Sequence, residues 1–161
     1  MHNAKILKSD NENNMMPCNC RVSNECPLPG SNLGENCRTQ NVVYEAKITD
    51  NNGNENIYIG GTSQEIKSRI SFHKSCTRHA HLRNSCELAK KAHELTRNGK
   101  TFTIRWQIKE KSKSFRPGDS TCRLCISEMY HILYDERNNV LNKIKLAPCL
   151  HRKKYLLEDA T

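Results

Sequence analysis

Two short alternating runs, separated by a turn-forming segment, constrain the fold of this chain more than any other feature of its sequence. In residues 42–49 every even position is apolar or aromatic, whereas three of the four odd positions are polar. Such alternation predicts a half-buried strand, because successive side chains of a strand face opposite sides. Residues 50–54 contain only Asp, Asn and Gly, and residues 57–59 resume the apolar pattern. The two runs therefore predict an antiparallel hairpin, whose second strand ends at Gly60 and Gly61.

The next elements follow from changes in periodicity. A first helix, capped by Thr62 or Ser63, is expected to run to about Ser75. A second helix over about residues 85–97 ends at an Asn-Gly pair, which commonly stops helices. Renewed alternation over residues 102–108 predicts a third strand.

A third helix, from about residue 120 to residue 135, completes the order of elements. Its apolar positions, which we expect to be buried, are Leu124, Met129, Ile132 and Leu133. The order strand, strand, helix, helix, strand, helix predicts an α/β fold. In this fold a small antiparallel three-stranded sheet is flanked by helices and preceded by a cysteine-rich, zinc-binding loop.

A length of 161 residues, of which 35% are hydrophobic, suits one compact core with appendages. Residues 1–16 are polar and rich in Asn, so a disordered tail is predicted there. A cysteine-rich, metal-binding segment over 17–40 and a folded domain over 41–145 follow. Residues 146–161 form a C-terminal tail with Cys and His. The N-terminus lacks the pattern of a signal peptide and no membrane span is present, so a nuclear or otherwise intracellular protein without a membrane partner is expected.

The net charge of +9 is concentrated in one part of the chain. Residues 62–116 hold 14 Lys and Arg against 4 Asp and Glu, whereas the rest of the chain holds 12 against 13. A concentrated basic tract is typical of proteins that bind a polyanion such as nucleic acid. The alternative is a solvated helical face with no partner.

The nine cysteines are too many for an intracellular chain to be explained by disulfides, and their odd number leaves one unpaired. Metal ligation is the leading interpretation, and four ligands complete a tetrahedral zinc shell. Two sets of ligands are predicted: Cys18, Cys20, Cys26 and Cys37, and then Cys122, Cys125, Cys149 and His151. The alternative for both sets is reduced thiols that only pack, and the roles of Cys76, Cys86, His79 and His81 stay open.

Several short motifs occur in an order typical of one nuclease superfamily. They are Val42-Val43-Tyr44, Tyr58-Ile59-Gly60, and then Thr62, Lys67, Arg69 and His73. Together they resemble the GIY-YIG endonuclease pattern over about residues 41–145, with Gly60 as the structural glycine of the second motif. The sequence departs from that pattern where Val42 and Val43 replace Gly and Ile, and where Gly61 follows the second motif.

Within this superfamily the sequence is most similar to the endonuclease domain of Penelope-like retroelements. That likeness rests on the missing first glycine and on three cysteine motifs: Cys18-Asn19-Cys20, Cys26-Pro27-Leu28 and Cys149-Leu150-His151-Arg152. The resemblance implies a metal-dependent endonuclease that nicks DNA. It also implies a reverse transcriptase, absent from this chain, as a partner or a former fusion.

The residues themselves are compatible with this chemistry. Tyr44 and Tyr58 lie on adjacent predicted strands, and Arg69 and His73 share one helix face because they are four residues apart. The resemblance implies that Tyr44 is the general base or water positioner, that Arg69 clamps the phosphate, and that Tyr58 and His73 relay or position protons.

The resemblance also assigns the metal and the partner. It implies that Glu128 holds one Mg²⁺ or Mn²⁺ ion, while Zn²⁺ is structural, and that Asn142 steadies the catalytic site. DNA is the expected partner. The basic residues expected to contact it are Lys67, Lys74, Arg78, Arg83, Lys90 and Lys91. Two alternatives remain: an inactive zinc-stabilised nucleic-acid-binding module, and a structure-specific repair nuclease of the same fold.

Overall fold

The computed structural model describes residues 18, 20, 26–28, 36–114, 116, 118–142 and 149. Its elements, in chain order, are β1 (Val42–Asp50), β2 (Glu55–Thr62), α1 (Ile66–Arg78), a 3₁₀ turn (Ala80–Leu82), α2 (Glu87–Arg97), β3 (Phe102–Lys111) and α3 (Arg123–Leu133). The predicted α/β class and the order of elements are confirmed. The predicted tail over 1–16 and all of 146–161 except Cys149 lie outside the described residues.

The three strands form one antiparallel sheet in the order β2-β1-β3. The predicted antiparallel hairpin of β1 and β2 is confirmed, with Tyr44 opposite Gly60, and in the β1–β3 ladder Tyr44 pairs with Ile108. The β1–β3 register shifts between Val43 and Tyr44, so a bulge lies next to the tyrosine. Among the helices of the described residues, none combines the length and apolar character needed to cross a bilayer.

The prediction that β1 is only half buried is wrong, because both faces of this central strand are covered. On one face Tyr44, Ala46 and Ile48 pack with residues of α1 and α2, among them Ile66 and Leu88. On the other face Val43 joins β2 residues Ile57 and Ile59 and the α3 residue Leu124. Glu45, predicted to face solvent, is also buried. The sheet is therefore a middle layer between α1 and α2 on one side and α3 on the other.

The start of α1 also differs from the prediction. The strand β2 continues through both glycines to Thr62, because Gly61 and Thr62 still pair with Val43 and Val42. Thr62 Oγ1 then accepts a hydrogen bond from the Gln64 backbone N–H at 3.2 Å, which turns the chain before the helix begins at Ile66.

The predicted buried stripe of α3 is confirmed at two of its four positions. Leu124 is buried and Ile132 is partly buried, whereas Met129 is 37% exposed and Leu133 is 56% exposed. Leu124, Glu128 and Ile132 follow one another at a spacing of four residues, so they share one face. The helix therefore turns Glu128 toward the sheet in place of Met129.

The outer edge of β2 is covered by residues 139–142, which run parallel to it. The backbone N–H of Ile57 donates to the Asn139 carbonyl at 2.9 Å, and the N–H of Leu141 donates to the Ile57 carbonyl at 2.7 Å. Two residues further along β2, the N–H of Ile59 donates to Asn142 Oδ1 at 3.0 Å. The edge strand thus gains partners from the segment that follows α3.

Candidate active site

The hydroxyl of Tyr44 is the meeting point of two side chains from α1. Arg69 Nε donates a hydrogen bond to Tyr44 Oη at 3.2 Å, and His73 Nε2 lies 2.7 Å from the same oxygen. Because Arg69 and His73 are one helical turn apart, α1 presents both toward the sheet. Tyr44 and His73 are fully buried, whereas Arg69 is partly exposed. The predicted convergence of these three residues is therefore present.

Tyr58 completes the aromatic part of the site. Its ring centroid lies 6.4 Å from that of Tyr44 and 5.3 Å from that of His73. Gly60 stands opposite Tyr44, and a Cβ built on Gly60 would lie 2.6 Å from Tyr44 Oη and 3.0 Å from Tyr58 Cε1. Such distances are far shorter than ordinary carbon contacts, so the bare α-carbon of Gly60 is what admits the Tyr44 hydroxyl.

Glu128 reaches the same end of β2 from α3. The backbone N–H of Gly61 donates a hydrogen bond to its carboxylate, and a Cβ on Gly61 would lie 2.9 Å from Glu128 Oε2. Consecutive strand residues face opposite sides, so Gly60 faces Tyr44 and Gly61 faces Glu128. The two glycines therefore allow Tyr44 and Glu128 to approach the same end of β2 from opposite faces of the sheet. In the sequence this role of Gly61 was visible only as a second glycine.

Burial shifts the pKa values of the tyrosines, of His73 and of Glu128 so that each side chain favours its uncharged form. It raises the pKa of Tyr44 well above its usual range and that of Tyr58 to about 12. Burial, with a smaller effect of the Arg69 charge, lowers the pKa of His73 to about 3. Burial also raises the pKa of Glu128, against the hydrogen bond from Gly61 and the charge of Arg69. Near neutral pH both phenols and the imidazole are therefore uncharged, and Arg69 supplies the positive charge.

The surroundings of Glu128 are compatible with one hydrated divalent cation. Mg²⁺ commonly binds proteins through one or two carboxylates and keeps most of its waters, so a single carboxylate suffices. Glu128 is partly buried, and its carboxylate is held by the backbone of Gly61. Burial disfavours the charged carboxylate, and a cation would favour it again.

The side chain of Asn142 makes two hydrogen bonds to the backbone of β2. Its Oδ1 accepts from the Ile59 N–H at 3.0 Å and its Nδ2 donates to the Ile59 carbonyl. Ile59 precedes the glycine pair, so Asn142 fixes the strand that carries Tyr58 and Gly60. This contact agrees with the steadying role that the resemblance implies, because the Asn142 side chain holds the backbone of β2.

The six basic residues predicted to bind nucleic acid fall into two groups. Lys74, Arg78 and Arg83 are exposed on α1 and the turn that follows it. The other three are engaged elsewhere: Lys90 with Glu87 at 2.6 Å, Lys91 with Glu94 at 3.1 Å, and Lys67 with Cys20 Sγ at 3.6 Å. The solvated-face alternative therefore suits the two lysines of α2 better than the residues of α1.

The first set of cysteines comes together as predicted. The sulfurs of Cys18, Cys20, Cys26 and Cys37 all lie within 4.8 Å of one another, a grouping that could hold a metal such as zinc. The group adjoins the start of α1, because the Lys67 N–H donates to the Cys37 carbonyl at 2.8 Å. A metal at this group would therefore hold the helix that carries Arg69 and His73.

The second set is formed in part. The sulfurs of Cys122, Cys125 and Cys149 lie within 4.8 Å of one another and could share a metal, whereas His151 lies outside the described residues. Cys122 precedes the first residue of α3, and Cys125 lies one turn before Glu128. The two cysteine groups that could hold a metal thus stand at the starts of the two helices that carry the candidate catalytic side chains.

Sequence reasoning left Cys86 and Trp106 without roles at this site. Cys86 Sγ lies 3.5 Å from His73 Nδ1, and the Trp106 ring stacks on His73 with centroids 5.6 Å apart. His79 and His81 are exposed, with ring centroids 5.7 Å apart, and Cys76 is buried. Within the described residues, neither cysteine group includes any of these. Only the alternation of β3 hinted that Trp106 faces the core.

Comparison of the chain with protein-family models, with curated proteins and with solved structures finds no match.

Proposed function

We propose that this protein is a metal-dependent DNA endonuclease of the GIY-YIG type, related to the Penelope-like endonucleases that its motifs resemble. The observation that carries the proposal is the meeting of Arg69 and His73 on the Tyr44 hydroxyl, with Tyr58 alongside. The carboxylate of Glu128 is held at the same strand end. Hydrolysis of a phosphodiester needs a positioned water, positive charge at the phosphoryl oxygens and help for the leaving oxygen.

Arg69 is the residue best placed to bind the scissile phosphate. Its guanidinium stays charged at any physiological pH, is partly exposed, and is fixed by the buried Tyr44 hydroxyl at 3.2 Å. Phe72 supports it further, because the guanidinium carbon lies 4.9 Å from the centroid of that ring. A preorganised cation of this kind stabilises charge that develops in the transition state.

The two tyrosines have different exposures, which suggests different roles. Tyr44 is fully buried, so in this proposal it holds Arg69 and His73 in place. Tyr58 retains 8% exposure and is, in this proposal, the phenol that orients a water. Glu128 would hold the divalent cation, Mg²⁺ or Mn²⁺. When bound, that ion supplies positive charge to the phosphate and lowers the pKa of its waters.

A nicking assay on supercoiled plasmid with Mg²⁺ tests the proposal. Glu128→Ala and Arg69→Ala should each slow nicking by about a hundredfold or more, because each removes a transition-state stabiliser. Binding to the same duplex should survive, since nonspecific affinity is shared among many basic residues. Glu136→Ala is the matched control: it removes an exposed carboxylate of the loop after α3 and should leave nicking unchanged.

The outcomes separate the alternatives. Wild-type protein that binds duplex but never nicks it, with either Mg²⁺ or Mn²⁺, is the zinc-stabilised binding module and overturns the nuclease proposal. Equal loss of binding and nicking in Arg69→Ala would point to misfolding of that variant. Cleavage of flaps or junctions in preference to linear duplex would identify the structure-specific repair nuclease.

A further inference from the structure

We propose that Cys86 is a positioning residue that fixes the tautomer of His73, so that the ring nitrogen facing Tyr44 accepts a hydrogen bond. The consequence for catalysis rests on the proposed nuclease function. The tautomer itself can be measured on protein that never cleaves DNA.

The first step is the hydrogen bonding of the Tyr44 hydroxyl. Arg69 Nε can only donate, so Tyr44 Oη accepts at 3.2 Å. The hydroxyl has one proton to give, and His73 Nε2 at 2.7 Å is in position to accept it. If Nε2 carried a proton instead, both neighbours would donate to Oη. The buried hydroxyl proton would then lack an acceptor among the described residues, an arrangement that costs free energy.

The second step is the charge of His73. The ring is fully buried, and it stacks on Trp106 with an interplanar angle of 29°. Burial and the neighbouring Arg69 charge lower its pKa to about 3, so it is neutral near pH 7. A neutral imidazole carries one proton. With Nε2 as the acceptor, that proton is on Nδ1.

The third step is the partner of Nδ1. Cys86 Sγ lies 3.5 Å from it, and a thiol sulfur, although its S–H can also donate, can accept from an N–H donor at this distance. Cys86 is the N-cap residue of α2, with extended dihedral angles of φ −160° and ψ 164°. The thiol therefore lies beside the ring at the start of α2. The other ring nitrogen is left to receive the Tyr44 proton.

This arrangement sets the direction of each hydrogen bond from Arg69 through Tyr44 and His73 to Cys86. A Tyr44 hydroxyl that donates to His73 turns its lone pairs toward Arg69, which keeps the guanidinium in its binding position. Loss of the Cys86 acceptor would free the imidazole to adopt the other tautomer. Tyr44 would then accept from both sides, and Arg69 would be held less firmly.

Two-bond ¹H–¹⁵N correlation spectra of ¹⁵N-labelled protein test the inference, with His73 signals assigned by their loss in His73→Asn. Wild-type His73 should be the Nδ1–H tautomer. Cys86→Ser keeps an acceptor and should preserve this tautomer, whereas Cys86→Ala should lower the ratio of Nδ1–H to Nε2–H about fivefold. Cys86→Val, which fills the volume without an acceptor, should match Cys86→Ala and covers the case in which the cavity of Cys86→Ala disturbs folding.

Cleavage kinetics give the second readout. Cys86→Ala should lower kcat about tenfold with little change in KM, and Cys86→Ser should restore it. An Nε2–H tautomer in the wild-type protein, or an unchanged tautomer in both Cys86→Ala and Cys86→Val, would overturn the inference. If no variant and no wild-type sample cleaves DNA, the nuclease proposal fails while the spectra still decide the role of Cys86.

Discussion

The carboxylate of Glu128 occupies space that exists because Gly61 has no side chain, and the N–H of Gly61 donates a hydrogen bond to it. Glycine at this position therefore serves packing as well as backbone geometry. The relationship joins a strand residue to a helix residue far along the chain, and it places the candidate metal ligand at the end of β2.

Gly61→Ala should displace Glu128, because the new Cβ would lie 2.9 Å from Oε2. We expect Mg²⁺-dependent nicking to fall at least tenfold, while the free energy of unfolding falls by only about 1 kcal/mol, since the carboxylate belongs to a helix side chain that can move. Plasmid nicking and urea denaturation measure the two effects. Ser63→Ala, at an exposed position nearby, is the control. Full activity in Gly61→Ala would show that the position of Glu128 is unimportant.

The exposed basic residues of α1 and its following turn should carry more DNA affinity than the lysines of α2. Replacing Lys74, Arg78 and Arg83 by Ala should reduce the slope of log affinity against log salt by about 0.9 for each phosphate that the variant no longer neutralises. The matched control replaces Lys90 and Lys91, which are already paired with acidic residues of the same helix. Fluorescence anisotropy across a salt series gives both slopes, and a larger change in the control would assign DNA binding to α2.

Each cysteine group should hold one zinc ion. Metal analysis of purified protein should therefore give two per chain, with X-ray absorption reporting zinc–sulfur distances near 2.3 Å. Cys18→Ser and Cys122→Ser should each lose one ion and lower thermal stability, since structural zinc contributes directly to folding. Nicking should also weaken in both, because the groups adjoin the starts of α1 and α3. Wild-type protein with no zinc would leave these cysteines as packed thiols.

Asp50 should make stability depend on pH at the hairpin turn. Its carboxylate accepts hydrogen bonds from Asn54 and Asn52 and from Lys100 Nζ at 2.9 Å, interactions that hold its pKa below the usual range. The resulting stabilisation is present above the unfolded-state pKa of about 3.9 and is lost as the pH falls through the folded-state value. Asp50→Asn should remove this dependence. Urea denaturation at several pH values between about 2 and 6 compares the two proteins, and parallel curves would exclude a role for Asp50.

Local sequence patterns were sufficient to predict the helices and strands of the fold and part of the candidate site. The alternation around Tyr44 predicted the hairpin, and the four-residue spacing of Arg69 and His73 predicted that both point to one side. What local patterns could not show is which distant segment covers a given face. Glu45 looked solvent-facing because apolar and polar residues alternate around it, yet its side chain is buried and Arg137, 92 residues later, donates to its carboxylate at 2.7 Å.

The same limit explains the missed residues near the site. Cys86 contacts His73 only because α2 folds back on α1, and a lone cysteine carries no local signal for such packing. The stripe predicted for α3 was wrong at Met129 and Leu133 for a related reason. Hydrophobicity alone favoured Met129, whereas the sheet receives Glu128, a polar residue whose inward position depends on Gly61.

The outer edge of β2 has a further consequence for the behaviour of the protein in concentrated solution. Its outward N–H groups at Ile57, Ile59 and Gly61 are bonded to the Asn139 carbonyl, the Asn142 side chain and the Glu128 carboxylate. Exposed strand edges are templates onto which other chains add by backbone pairing, and aggregation commonly begins there. Along this stretch the donors that an incoming strand would need are already occupied, the last of them by the carboxylate proposed to bind the catalytic metal. The group that would serve cleavage therefore also helps to protect the protein from self-association.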